Sequence, residues 1–232
     1  MKAVVASKSV SQFLRETVWM ARLPESVRIR VCDECFDMTH NKGDLVARRG
    51  ELVNSWVGVV DGLIKVVAHH KSGKAVMFSG IPKNAWVGEG SVIKREPRRY
   101  DLVAMCPSRT VHVPRATFQW LLETSFEFNH FIIDHLNERL AQFMAMTETD
   151  RIADPSIRLA RAICGLFNPV IYPGQGPVIK VGQEELGELA GLSRQRVNIA
   201  LGKLEARGLV QVAYGGVYVD DLAALRDLAD FH

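Results

Sequence analysis

The sequence predicts an α+β chain in three parts: an N-terminal antiparallel β-roll of the jelly-roll kind, a long helix, and a C-terminal winged helix-turn-helix. Three stretches carry that prediction. Across residues 38–114, short runs rich in β-branched residues alternate with glycine turns, the texture of closely spaced antiparallel strands. Across residues 126–152, apolar residues recur in steps of three and four without glycine or proline, which specifies one long helix. Across residues 183–201, two amphipathic halves meet at Gly191, and two short apolar runs suited to a hairpin follow.

Taken in order, residues 9–36 read as a leading helix and a second short one. Phe13, Val18, Met20, Leu23, Val27, Ile29 and Val31 are the apolar points, and Pro24 interrupts. Strand candidates are residues 56–60, 63–67, 75–78 and 102–105, with turns at Gly43, Gly50, Gly62 and Ser72-Gly73-Lys74. A short helix is expected around residues 118–122, then the long one. In it Ile133, Leu136, Leu140 and Phe143 form an a/d seam, continued less well by Thr147 and Asp150. Phe131 and Ile132 lie on a separate stripe suited to the chain's own roll, so the seam calls for another partner.

Asp154-Pro155 marks a boundary, because aspartate as N-cap and proline at the first helical position start a new helix over residues 156–167. The expected units are therefore residues 1–125, the roll with its leading helices; 126–153, the long helix; and 154–232, the winged module. Within the last, residues 178–181 form a strand leading into the helix-turn-helix. Leu186, Leu189 and Ala190 recur at helical spacing, Gly191 permits the turn, and Ser193 is a ready N-cap. On the second helix Val197, Ala200, Leu201 and Leu204 form the buried stripe, which turns Arg194, Gln195, Asn198 and Gly202 outward. Residues 209–213 and 216–219 flank a Tyr214-Gly215-Gly216 turn, and Asp220 or Asp221 caps a closing helix with Leu222, Leu225 and Leu228.

Composition sets outer bounds. A chain of 232 residues, 47% hydrophobic, holds two small domains with a core each, and its net charge of +3 argues only weakly for a polyanionic partner. The local cluster of Arg194, Arg196, Lys203 and Arg207, opposed by Glu205, fits a phosphate footprint better. No run approaches the ~20 apolar residues of a spanning helix, and the first residues are too short for a secretory signal, so a cytoplasmic protein with no membrane partner is expected. Cys32-x-x-Cys35 has no second pair at zinc spacing; Cys106 and Cys164 stand apart. His69 and His70 point to opposite faces of a strand end, and His130 and His135 fall off a common helix face, so no metal set is expected and these histidines suit surface or packing roles. No nucleophile with a base and no pair of carboxylates suggests an enzyme.

Gln183-Glu184-Glu185-Leu186, then Gly191-Leu192-Ser193-Arg194, then Leu204-Glu205-Ala206-Arg207-Gly208-Leu209 give the chain its resemblance to transcription regulators of the CRP/FNR family. The resemblance implies an effector-sensing roll of the cyclic-nucleotide-binding type, a homodimer through the helix bearing Ile133, Leu136, Leu140 and Phe143, and contact with double-stranded DNA and with RNA polymerase. Each subunit would set the helix starting at Ser193 in a major groove, with half-sites ~34 Å apart. Arg194 would meet a guanine or a phosphate, Gln195 and Asn198 base edges, and Arg196, Lys203 and the hairpin around Tyr214 phosphates. Well-known relatives carry glutamate, a small residue or serine, and arginine where this chain has Gln195, Asn198 and Ile199, so its operator should differ.

In cyclic-nucleotide-binding relatives a Gly-Glu pair and a later arginine hold ribose and phosphate. Gly88, Glu89, Gly90, Ser91 and Arg98 fall on those positions here, but Arg99 replaces the usual serine and Tyr100 a small residue, both crowding the phosphate site. Aligning Arg139-Leu140 with the family's Arg-Leu puts Phe143 and Met144 where a Thr-Ser pair contacts adenine, and neither supplies a hydroxyl. The expected effector is thus an unidentified small molecule other than cAMP, held by these residues; alternatively Glu89 and Arg98 pair with each other or cap the roll. Two cysteines near the start, with Cys106 off the family's distant ligand position, argue against an iron–sulfur cluster, and haem has no positive sign. The competing class is a ligand-sensing module that acts through protein contacts, against which the winged module argues.

Overall fold

Residues 8–69, 75–149, 154–213 and 215–229 are described by the computed structural model. His70, the turn at Ser72-Gly73-Lys74, Asp150, Ile152 and Tyr214, which figure in the sequence reading, lie outside them, as do the first seven residues. At Ser9 the hydroxyl accepts from the Gln12 backbone N–H while the Gln12 side chain accepts from the Ser9 N–H, a reciprocal cap that starts the first helix. Three helices follow where the sequence predicts two: α1 (Val10–Arg15), α2 (Val18–Ala21) and α3 (Glu25–Glu34). The chain re-enters helix at Pro24, which caps α3, and it becomes extended at Cys35, so Phe36 begins the first strand rather than ending a helix.

The roll is built from β1 (Phe36–His40), β2 (Leu45–Ala47), β3 (Ser55–Asp61), β4 (Leu63–His69), β5 (Ala75–Pro82), β6 (Trp86–Val87), α4 (Glu89–Lys94), β7 (Asp101–Ala104) and β8 (Ser108–Pro114). Two four-stranded sheets result, ordered β1-β8-β3-β6 and β2-β7-β4-β5, with every pairing antiparallel. The tight β3–β4 turn depends on Gly62: its φ is +92°, and a Cβ there would lie 2.2 Å from Ser108 Oγ. Val57, Val59, Ile64, Val66, Ile81 and Leu102 are buried in one cluster inside the roll. A second, aromatic cluster holds Trp19, Trp56, Trp86, Phe118 and Phe128. Trp56 stacks on Trp86 at 4.1 Å between centroids and Trp19 meets Trp86 edge-on at 5.4 Å, which ties the leading helices to the sheet.

Two helices leave the roll, α5 (Arg115–Thr124) and α6 (Phe126–Thr149). On α6 the two stripes expected from the sequence separate. Phe128, Phe131 and Ile132 are buried, whereas Ile133 is 61% and Leu140 59% exposed, with Leu136 and Phe143 also uncovered.

Asp154 then caps α7 (Pro155–Gly165), its carboxylate accepting from the Ser156 backbone N–H at 2.7 Å. The winged module continues with β9 (Val178–Ile179), α8 (Gln183–Ala190), α9 (Arg194–Glu205), β10 (Val210–Ala213), β11 (Gly216–Val219) and α10 (Leu222–Ala229), its sheet ordered β10-β11-β9. Asp221 caps the closing helix, accepting from the Ala224 N–H at 2.9 Å. Leu159, Ile163, Leu186, Val197, Leu201 and Leu204 form the module's core, and Leu63 and Met105 of the roll belong to the same cluster. Two ion pairs run along that seam, Lys42–Glu185 and Lys65–Glu188, each 2.6 Å. Among the described residues no helix is long and apolar enough to cross a membrane.

Candidate functional site

The polar face of α9 is set up by local geometry. Gly191 takes φ +62°, the Leu192 N–H returns to the Gly187 carbonyl at 2.8 Å, and Ser193 caps α9 through the Arg196 N–H. Gly187 is needed for this corner, since a Cβ there would sit 2.7 Å from the Leu192 carbonyl oxygen. Val197, Ala200, Leu201 and Leu204 are buried as the spacing requires. Ser193, Arg194, Gln195, Arg196, Asn198 and Lys203 are all exposed. Asn198 is oriented by the preceding helix, its Oδ1 accepting from Gln183 Nε2 at 2.9 Å. Ile199 shares the open face, and it is the apolar member that the sequence reading passed over as a contact. An exposed guanidinium, two amides and a methyl-bearing side chain near a helix N-terminus are the groups that read base edges and phosphates in a major groove.

The roll holds its polar residues differently. Gly88, at φ +100°, admits Arg98 beside the backbone: a Cβ would lie 2.9 Å from Arg98 Nη1. Glu89, Ser91 and Arg98 are buried. Glu89 pairs across the groove and not with Arg98; its Oε1 is 3.8 Å from both His135 Nε2 and Arg139 Nε. Glu89 Oε2 and Arg98 Nη1 make no hydrogen bond among the described residues, while the Arg98 guanidinium lies over the Tyr100 ring at 5.8 Å. Burial holds the Arg98 guanidinium below its ordinary pKa and raises the Tyr100 phenol, with Glu89 adding to the latter. Both replacements expected to crowd the site line the groove, Tyr100 half-buried and Arg99 at its rim. Arg99 is 70% exposed and pairs with Glu96 at 3.1 Å. The groove, about 240 Å³, is lined also by Gly90, Lys94, Arg139 and Phe143. A buried carboxylate facing buried guanidinium groups suits a ligand that carries both hydroxyl and anionic groups.

Arg139, His135 and Tyr172 were not among the site residues picked out from the sequence. Arg139 donates to the Trp86 carbonyl at 2.6 Å and to the Tyr172 hydroxyl at 2.8 Å, and Gln142 reaches the same hydroxyl at 3.0 Å. A cation at the end of the buried stripe Phe128, Phe131, Ile132 and His135 was the available signal. For Tyr172, in the loop before β9, there was none. Burial pushes His135 down to about 4, so its imidazole is neutral near pH 7.

An antiparallel roll with a polar groove, joined to a winged helix-turn-helix with an open polar face, defines the architecture of a DNA-binding regulator. Residues 38–125 match the cyclic nucleotide-binding domain and residues 157–228 the Crp-like helix-turn-helix domain. Transcriptional regulator SdrP of Thermus thermophilus is 26% identical over 176 residues, 74% of this chain and 82% of the relative. The cAMP-activated global transcriptional regulator CRP of Salmonella typhimurium is 24% identical over 183 residues, 74% of this chain and 82% of that one. FixK2 from Bradyrhizobium japonicum shares the fold with a TM-score of 0.69 at 13% identity, covering 84% of this chain and 96% of that one. The chain belongs to the CRP/FNR family of transcription regulators.

Proposed function

We propose that the protein works as a homodimer that binds a two-fold-symmetric operator through α9 and is controlled by a small effector, other than cAMP, in the groove at Glu89. The observation that carries this reading is the open face of Arg194, Gln195 and Asn198, which the chain's own roll leaves uncovered. The uncovered seam of Ile133, Leu136, Leu140 and Phe143 supports pairing of α6 with the same helix of a second subunit, since isolated large apolar patches favour burial. Two copies would then present α9 to successive major grooves ~34 Å apart. Arg194 addresses a guanine or a phosphate, Gln195 and Asn198 base edges, and Arg196 and Lys203 phosphates; RNA polymerase is the further partner. The units at work are residues 1–125, 126–153 and 154–232, acting in the cytoplasm.

In the groove, Glu89, Gly90 and Ser91 would meet the effector, with Arg98 behind them against Gly88, Arg99 at the rim and Phe143 facing them from α6. Tyr100 takes up interior room, and Phe143 and Met144 offer no hydroxyl to an adenine, which supports an effector of a different shape. The reading assigns no role to an iron–sulfur cluster or haem.

Binding to operator and random DNA tests the proposal. Gln195→Ala or Asn198→Ala should cost about 1–3 kcal/mol on the operator and far less on random sequence, and the unmodified protein should sediment as a dimer. Equal losses on both DNAs would remove base reading from α9.

A further inference from the structure

Gln183 stands first in α8, half-buried, ahead of Glu184 and Glu185. Its side chain crosses to the next helix, where Nε2 donates to Asn198 Oδ1 at 2.9 Å. The corner at Gly187, Gly191 and Ser193 fixes the two helices against each other, so the two side chains meet at a set place.

A primary amide has two unlike ends. The oxygen accepts, the nitrogen donates, and a turn of about 180° exchanges them with little change of shape. An asparagine free to turn on a recognition helix grips adenine with both ends, accepting from the N6 amino group and donating to N7. Asn198 is not free in this way. With Oδ1 drawn towards α8, the Nδ2 corner is directed away from it, on the exposed face of α9. What Asn198 offers a base is therefore a donor. In the major groove a donor meets O4 of thymine, O6 and N7 of guanine, or N7 of adenine, the last with the adenine amino group left facing another donor. The next residue decides among them. Ile199 is 57% exposed on the same face, and an apolar side chain there suits the C5 methyl group that thymine alone carries.

We propose, on the reading that α9 enters the major groove, that Gln183 is a positioning residue for base selection. It holds the Asn198 amide as a donor, and Asn198 and Ile199 together then select a thymine, Nδ2 on O4 and Ile199 against the methyl. Gln183 itself touches no base.

Selection of sites from random duplexes by the full chain, followed by affinities on single-base variants of the selected operator, tests this. The unmodified protein should prefer thymine about tenfold at one position of each half-site, and Asn198→Ala should abolish that preference. Deoxyuridine at the position keeps O4 and lacks the methyl; it should cost the unmodified protein about fourfold and Ile199→Ala nothing. Gln183→Glu separates a positioning role from a merely structural one. A carboxylate only accepts, so the Asn198 amide must turn and present Oδ1, and the preference should move to a base with an exocyclic amino group, adenine or cytosine. The added charge weakens binding to every sequence, which leaves the ratio between bases as the readout. Gln183→Leu lacks both amide ends and should reduce the preference for thymine over adenine to about twofold or less. Adenine at the Asn198-dependent position of the unmodified protein, deoxyuridine bound as well as thymine, or a thymine preference that survives both Gln183 variants would each overturn the proposal while leaving base reading by α9 intact. A base preference unmoved by Asn198→Ala at every position would overturn it together with that reading of Asn198.

Discussion

The winged module and the roll place their polar residues in opposite ways. In the first, Arg194, Gln195, Asn198 and Lys203 lie within one helix, all exposed, above a stripe of Val197, Ala200, Leu201 and Leu204 that fixes which way they face. In the second, Glu89, Arg98, His135 and Arg139 come from three separate segments and are buried together, with the Tyr172 hydroxyl supplied by a fourth. The exposed set costs the fold little and is free to suit a partner. The buried set is part of the fold, so changing it moves stability as well as any ligand's affinity.

The largest expected effect follows from that contrast. Arg139→Met removes the cation between Glu89 and Tyr172 and leaves a buried carboxylate with a neutral neighbour, which should destabilise the protein by about 3–5 kcal/mol in urea unfolding. A loss no greater than a surface substitution gives would mean that the network is slack and the comparison mistaken.

Next in size, residue for residue, is the response to acid. His135 and His112 are each pushed down to about 4, burial being the first cause in both. His112 sits in a hydrogen-bonded row, its Nδ1 2.9 Å from Ser55 Oγ and its Nε2 3.0 Å from Thr110 Oγ1, which in turn meets His40 Nε2 at 2.9 Å. Both imidazoles stay neutral in the folded state while the unfolded chain takes up protons below about pH 6.5. Their contribution is therefore complete above pH 6.5 and is lost as the pH falls towards 4, by about 3 kcal/mol for each. Urea unfolding at pH 7 and at pH 4.5, repeated on His112→Asn, measures it; equal stability at the two pH values in the unmodified protein would show that the roll tolerates charge in its interior.

The same contrast governs what could be read in advance. The cap at Asp154, the turn at Gly191, both stripes of α6 and the outward set on α9 all depend on neighbours within one or two helical turns, and the periodicity displays them. The aromatic cluster does not arise that way: Trp19, Trp56 and Trp86 sit on three elements, and nothing in their spacing says that they stack. Glu89 and Arg98 were visible through the resemblance, yet their partners were not, because the pairing of Glu89 with His135 and Arg139 across the groove is decided by how α6 lies on the roll. Phe36 was lost to a helix because the residues before it keep helical spacing, and the extended turn at Cys35 is what ends it.

On the exposed side the effects should be smaller. Ser193→Ala removes the hydroxyl that caps α9 and should lower stability by about 1 kcal/mol, with operator affinity falling in step as the first turn frays. An unchanged unfolding midpoint would indicate that the corner at Gly187 and Gly191 alone holds the start of α9.

The smallest effect concerns the seam where the two regions meet. Lys42–Glu185 and Lys65–Glu188 fasten α8 to the roll, and their short distances invite the idea that charge docks the winged module. The Lys42 side chain is exposed, however, and pairs of this kind are worth about 0.2–1 kcal/mol each, less in salt. Beneath them a Cβ added at Gly80 would meet Leu166 at 3.3 Å and Leu189 at 3.5 Å, so the apolar surfaces are already in contact there. Replacing both lysines with alanine should thus cost no more than about 2 kcal/mol, and adding salt to the unmodified protein should reproduce part of it. A larger loss would make the ion pairs, and not Leu63, Met105, Leu166 and Leu189, the means by which the winged module is held against the roll.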